Sequence, residues 1–159
     1  MSRYLSLIGL CCAASLAGCA SEPEPSALQS LDPTKSAELD FVKGERAGLG
    51  HSAAEYFTVC VADVTCRPKR FSVTLSLTTP NTEVGRVPAG ETIIRAYAAS
   101  AVGGVGMKHC RLAVRFNVDA GHAYTVKLLT QFSASVCTFS VRDGATGAAV
   151  PVYGVPLDN

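Results

Sequence analysis

The chain has no tryptophan, only 7% aromatic residues and two methionines among its 159 residues. It also has almost no excess charge, with 14 Lys plus Arg against 13 Asp plus Glu for a formal charge of +1. A nucleic-acid binder presents a strongly basic face, so no nucleic-acid partner is expected. The mostly apolar run from Tyr4 to Ala17 falls short of the roughly 20 residues that a membrane-spanning helix needs. No H-E-x-x-H, G-x-S-x-G or P-loop pattern occurs, and His51, His109 and His122 stand in no recognisable metal or triad arrangement. No catalytic residue, cofactor or metal site is therefore expected. What is present is a 48% hydrophobic composition with 14 Gly and 8 Pro, too apolar for a disordered chain and long enough for one domain.

The N-terminus reads MSRYLSLIGLCCAASLAGCA, with Arg3 ahead of a secretory-type apolar stretch. Its end, Leu16-Ala17-Gly18-Cys19, resembles the lipobox of bacterial lipoproteins. The resemblance implies a signal peptide over residues 1–18 and a mature chain starting at Cys19. Cys19 would carry a diacylglycerol group on its thiol and an acyl chain such as palmitate on its amine. Each buried methylene contributes about 0.8 kcal/mol, so two or three chains hold a protein firmly on a bilayer without a spanning helix. Ala20 and Ser21 stand where inner-membrane lipoproteins carry Asp, so the expected location is the bacterial outer membrane, with the domain facing the periplasm.

Loss of Arg3 with the signal takes the bases from 14 to 13, equal to the 13 acids. They are unevenly spread. Glu22, Glu24, Asp32, Glu38, Asp40, Glu45 and Glu55 face only Lys35, Lys43 and Arg46 before residue 60, and the remainder is mildly basic. Pro23, Pro25 and Pro33 punctuate an acidic stretch that reads as a flexible tether, and Gly44, Gly48 and Gly50 argue for loop in the segment 37–54. The expected organisation is thus lipidated cysteine and tether over 19–54 and a folded domain over 55–159.

Period-two alternation dominates the domain. Phe71, Val73, Leu75 and Leu77 alternate with Ser and Thr; Leu112, Val114, Phe116 and Val118 alternate with Arg111, Ala113, Arg115 and Asn117. Thr92 to Ala98, Tyr124 to Leu128, Cys137 to Val141 and Ala149 to Tyr153 read as further strands. Residues 80–90, with Pro80, Gly85, Pro88 and Gly90, read as a turn region; Ser100 to Gly106 reads as a Gly-rich connection; Asp119-Ala120-Gly121 reads as a hairpin turn. About seven short strands without helical periodicity predict an all-β antiparallel sandwich or small barrel.

Four cysteines remain after Cys11, Cys12 and Cys19 are set aside: Cys60, Cys66, Cys110 and Cys137. An even number in an exported domain reads as two disulfides, for which the expected pairing is Cys60–Cys66 and Cys110–Cys137. Cys110 shares parity with inward Leu112 and Val114, and Cys137 with Phe139 and Val141. In a flat meander their strands would lie about 9.6 Å apart, beyond the roughly 7 Å Cα separation a disulfide tolerates. The pairing thus requires the sheet to fold over itself. A zinc site from these thiols and His109 is the competing arrangement, but C-x5-C is not a zinc knuckle.

Arg67, Lys69 and Arg70 form the one cation cluster, a solvated strand entrance or a contact for an anion on a lipid, a lipopolysaccharide or peptidoglycan. Asp119 and His122, three apart across a turn, read as a turn-stabilising pair. Val87-Pro88-Ala89-Gly90-Glu91-Thr92 and Val118-Asp119-Ala120-Gly121-His122-Ala123-Tyr124-Thr125-Val126 resemble turns in small PEGA-like β-sandwich envelope lipoproteins. That resemblance implies fold and setting and brings no active-site residues. The expected function is a non-catalytic envelope lipoprotein that binds an envelope protein or wall component. The alternative is a ligand-binding, inhibitor or immunity lipoprotein, with an exposed loop such as 100–109 entering the cleft of a secreted or periplasmic enzyme.

Overall fold

The computed structural model describes residues 31–44, 46–47, 52–61, 63–67, 69–76, 79, 81–102, 106–131 and 136–157. Cys19 and its motif, the tether up to residue 30, His51 and residues 103–105 lie outside the described residues.

Among the described residues ten strands follow one another: β1 Ser36–Val42, β2 Arg46–Ala47, β3 Ser52–Cys60, β4 Lys69–Leu75, β5 Thr82–Pro88, β6 Gly90–Val102, β7 Gly106–Val118, β8 Ala123–Gln131, β9 Val136–Asp143 and β10 Tyr153–Val155. They make two packed sheets. In sheet A, β8 pairs with β9 on one edge and with β1 and then β2 on the other, and β5 flanks β1. Sheet B has the order β10-β7-β6-β3-β4 and is antiparallel throughout. The expected all-β sandwich forms, with β1 and β2 running parallel to β8 as its one departure from antiparallel pairing.

The sandwich begins at Ser36 rather than at Glu55. In β1 the acids that read as tether alternate with apolar residues: Ala37, Leu39 and Phe41 are buried, while Glu38, Asp40 and Val42 turn outward. An acid at every second position is what a half-buried strand carries on its wet face. Residues 80–90 also form a strand. β5 tolerates Gly85 and ends at Pro88 because it is the edge of sheet A, where a missing ladder bond costs little. The Ser100–Gly106 connection shrinks likewise: β6 reaches Val102 and β7 starts at Gly106, with β3 paired alongside up to Ala101. The last strand lies at Tyr153–Val155, Ala149 making only an isolated bridge with Arg142.

The core is aromatic and shared between the sheets. Phe41 of sheet A packs on Phe57 and Phe71 of sheet B at ring-centroid distances of 5.1 and 6.2 Å, the second edge-on. Phe139 of sheet A reaches Phe57 and Phe116 of sheet B at 6.4 and 6.3 Å. Burying each such side chain contributes about 1.5–3 kcal/mol. One inward position is charged: Glu55 on β3 is fully buried, and its carboxylate accepts the Gly44 N–H at 3.1 and 3.3 Å. Gly44 marks the break between β1 and β2. It has to be glycine, because a Cβ there would collide with the Leu128 carbonyl oxygen.

Asp119-Ala120-Gly121 does not close a hairpin. It carries the chain from β7 in sheet B to β8 in sheet A, and Pro88-Ala89-Gly90 carries it from β5 in sheet A to β6 in sheet B. Gly90 and Gly121 take φ values of +112° and +78°, which side chains resist. The Tyr124 hydroxyl accepts the Asp119 N–H at 2.9 Å and fixes the second crossing. Both crossings bond to the chain at the start of β1, through Ala89 N–H to Lys35 O and Gly121 N–H to Ser36 O. The N-terminal segment therefore joins the sandwich at its crossing end.

Candidate functional site

Alternation decides what the outer face of sheet B displays. On β3, Glu55, Phe57 and Val59 point inward, which leaves Tyr56 and Thr58 outside. On β6, Thr92, Ile94, Ala96 and Ala98 point inward, which leaves Ile93, Arg95 and Tyr97; on β7, Cys110, Leu112, Val114 and Phe116 leave His109, Arg111 and Arg115. Register then sets these side chains in rows. Tyr56 stands opposite Tyr97, and Tyr97 opposite Arg111. Thr58 stands opposite Arg95, while Ile93, Arg115 and Tyr153 form a third row. The Tyr56 and Tyr97 rings lie 5.8 Å apart, and Tyr97 lies 6.1 Å from the His109 ring. Tyr56, Tyr97 and Tyr153 are 42%, 36% and 58% exposed, unusually open for large aromatic side chains on a sheet.

Between the first two rows runs a groove of about 240 Å³, walled by Tyr56, Thr58, Arg95, Tyr97 and Arg111 and closed on one side by Leu157 from the segment after β10. Its electrostatics are one-sided. Glu91 is the only carboxylate that the outward positions of sheet B supply, and it lies 3.8 Å from Arg115 with both side chains 54% exposed. Arg111 has no ion pair or hydrogen bond among the described residues. Arg95 comes within 3.5 Å of the Thr65 carbonyl oxygen, at the limit of a hydrogen bond. The groove thus offers two guanidinium groups, two phenols and the Thr58 hydroxyl to whatever enters it.

The Arg67, Lys69 and Arg70 cluster lies at the start of edge strand β4, where a bulge follows the Cys60 to Lys69 pairing. Arg67 and Lys69 are exposed. The contact from Arg95 to Thr65 sets the adjacent loop, and hence the cluster, at the rim of the tyrosine and arginine face. The cluster also falls at the crossing end, where the N-terminal segment joins. Within the loop, Asp63 accepts the Thr65 hydroxyl at 2.6 Å and its N–H at 2.8 Å, which holds the carboxyl below its ordinary range.

All four expected cysteines are paired as expected. Cys60–Cys66 closes that loop, with Cα atoms 4.4 Å apart, and Cys110–Cys137 joins β7 of sheet B to β9 of sheet A across 6.0 Å. No thiolate is left over from them for the zinc arrangement. His122 does not pair with the Asp119 side chain; its Nδ1 lies 3.1 Å from Asp143 Oδ2. The turn that starts at Asp143 brings this carboxylate back to the crossing end, whereas the Asp119 N–H is turned to Tyr124. A carboxylate only accepts, so Nδ1 carries the proton. Asp143 is held down to about 2, first by the Thr146 N–H, then by His122 and the Thr146 hydroxyl. No hydroxyl or thiol is hydrogen-bonded to the His122 ring among the described residues. The arrangement latches a turn.

The tyrosine and arginine face is the feature sequence reading missed. The outward parity of Arg111 and Arg115 is visible in the β7 segment alone, but Tyr56 and Tyr97 join them only because β3 lies beside β6. No family model, curated protein or solved structure matches the chain.

Proposed function

We propose that the chain is a membrane-anchored envelope lipoprotein whose sandwich is a non-catalytic binding module. In this reading Cys19 holds it on the outer membrane, and the outer face of sheet B recognises an envelope protein or a cell-wall component in the periplasm. The observation that carries it is the set of exposed tyrosines on one face, Tyr56, Tyr97 and Tyr153, interleaved with Arg95, Arg111 and Arg115. Tyrosine and arginine are the residue types that dominate binding surfaces, because each offers a large apolar body with a polar end. The lipobox-like Leu16–Cys19 and the join of the N-terminal segment at the crossing end support the anchored geometry.

The test uses the full chain, expressed with its own leader in a bacterial envelope. Wild type should fractionate with outer membranes, and Cys19→Ala should move to the soluble periplasmic fraction. Affinity purification from gently solubilised envelopes should bring one envelope protein or wall fragment in stoichiometric yield, lost from a Tyr97→Ala/Arg111→Ala variant. A Cys19→Ala protein that stays with the membrane overturns the anchor. An identical catch with both proteins overturns the assigned face.

A further inference from the structure

Resting on that reading and sharpening it, we propose that the groove between Tyr56 and Arg111 is a site for a carboxylate-bearing sugar of an acidic saccharide chain. The sugar ring lies against Tyr97 and Tyr56, and its carboxylate is held by Arg95 and Arg111.

Size comes first. A groove of about 240 Å³ is below the roughly 300–1,000 Å³ of sites for drug-sized molecules and cofactors, and it matches a single sugar unit. Charge comes second. Arg95 faces Ala113 and Arg111 faces Tyr97 across the β6–β7 ladder, so the two arginines are diagonal neighbours on one face, about 7–8 Å apart at the backbone. No carboxylate of the described residues neutralises Arg111, and a guanidinium fork matches a carboxylate with two parallel hydrogen bonds. An incoming carboxylate supplies the anion that Arg111 lacks among the described residues.

The remaining groups suit the rest of a sugar. The tyrosine rings give flat apolar surface for the C–H face of a pyranose, while the phenols and the Thr58 hydroxyl both donate and accept toward its hydroxyls. The floor is backbone of the sheet, since Ala96 and Leu112 turn their side chains toward the core. The face does not stop at the groove. Arg115 and Tyr153 continue it toward the crossing end and His109 continues it the other way, so neighbouring units of a chain meet the same chemistry. Acidic saccharides of the wall and of lipopolysaccharide share this chemistry.

The experiment is calorimetric titration of the full chain in detergent micelles with trigalacturonate and, separately, with the neutral trisaccharide maltotriose. Trigalacturonate should bind at least about tenfold more tightly, its affinity should fall as salt rises, and Arg95→Gln and Arg111→Gln should each weaken it about fivefold or more. Tyr97→Ala should weaken both probes. Unfolding midpoints of the variants show that each remains folded, and a lone Arg111→Gln keeps the question answerable where Tyr97→Ala does not fold. Co-sedimentation with purified sacculi and with lipopolysaccharide micelles then tells the two sources apart. Equal affinity for the two trisaccharides, no binding of trigalacturonate, or indifference to both arginine variants overturns the proposal. If trigalacturonate fails while an envelope protein is still captured through Arg111, the sugar assignment falls and the binding-module reading stands. If both fail, both fall.

Discussion

The two outer faces of the sandwich come from the same alternation, yet they treat charge in opposite ways. On sheet A, Glu38 of β1 and Arg86 of β5 stand opposite one another and meet at 2.7 Å, with side chains 36% and 28% exposed. Asp40, two residues on, is partly covered between Val84 and Thr125. On the outer face of sheet B the cations stand among tyrosines, and the only acid among the described outward residues, Glu91, reaches Arg115 from 3.8 Å. Sheet A mixes acids with bases and joins Glu38 to Arg86, while Asp40 and Lys127 are without an ion pair among the described residues. Sheet B leaves its cations open, which costs little in water and leaves them ready for a ligand. Under the proposed function, the difference separates a face that serves the fold from one that serves binding.

The largest expected effect tests what keeps the two faces on opposite sides. Cys110–Cys137 is the covalent link between the sheets, and it ties down β9, an edge of sheet A. Its 27-residue separation corresponds to about 3.5 kcal/mol on the chain-entropy model, against about 2 kcal/mol for the six-residue separation of Cys60–Cys66. Urea unfolding of Cys110→Ala/Cys137→Ala and Cys60→Ala/Cys66→Ala should reproduce that order. Hydrogen exchange should rise across β9 in the first variant and stay local to residues 60–67 in the second. Equal losses would mean that the aromatic layer around Phe41, Phe57 and Phe139 holds the sheets without help.

The staple was legible before the fold because parity and strand spacing are local arithmetic: two inward cysteines too far apart in a flat sheet require a closed one. The strands with simple alternation, such as Phe71 to Leu75 and Leu112 to Val118, were legible for the same reason. β3 was not. Its inward positions include Glu55, whose carboxylate accepts the Gly44 N–H eleven residues earlier, and a carboxylate at a core position breaks the pattern that marks a strand. β1 was obscured differently. Its alternation was intact, but its outward residues were acids following an acidic, proline-punctuated stretch, and composition outweighed period. The tyrosine and arginine face was beyond local reading altogether, since pairing of β3 with β6 spans some forty residues of sequence.

A second pair of variants breaks the comparison most directly. Arg86→Ala removes the partner of Glu38 on sheet A and should cost up to about 1 kcal/mol of stability while leaving partner binding unchanged. Arg111→Ala removes an unpaired cation from sheet B and should change stability by less than about 0.5 kcal/mol while weakening binding. Thermal melts and affinity measurements on the same preparations give both readouts. If Arg86→Ala weakened binding as much as Arg111→Ala, the division of labour between the faces would be lost.

The smallest effect concerns Asp40, a carboxylate on the outer face of sheet A without an ion pair among the described residues. Its Oδ1 is buried without a hydrogen-bond partner, and Arg86 and Lys127 are only its diagonal neighbours on β5 and β8. Burial, and then repulsion from Glu38, raise its carboxyl above the ordinary value. The folded protein therefore takes up this proton at a higher pH than the unfolded chain does. Stability from the group is fully present below the unfolded value, about 3.9, and is lost as pH rises through the raised folded value. Asp40→Asn should accordingly be more stable than the parent at pH 7, with the gap closing as pH falls through the raised folded value toward about 4. Asp143 gives the opposite sign. Held down to about 2 by Thr146 and His122, it stabilises above the unfolded value and loses that contribution as pH falls through about 2. Asp143→Asn should therefore be weaker than the parent at neutral pH and converge with it in acid. Urea midpoints for the parent and both variants from pH 2 to 7 should show the two gaps with opposite signs. A destabilised Asp40→Asn at pH 7 would mean that the carboxylate has found a cationic partner on sheet A, and that this face pairs more of its charges than Glu38 with Arg86.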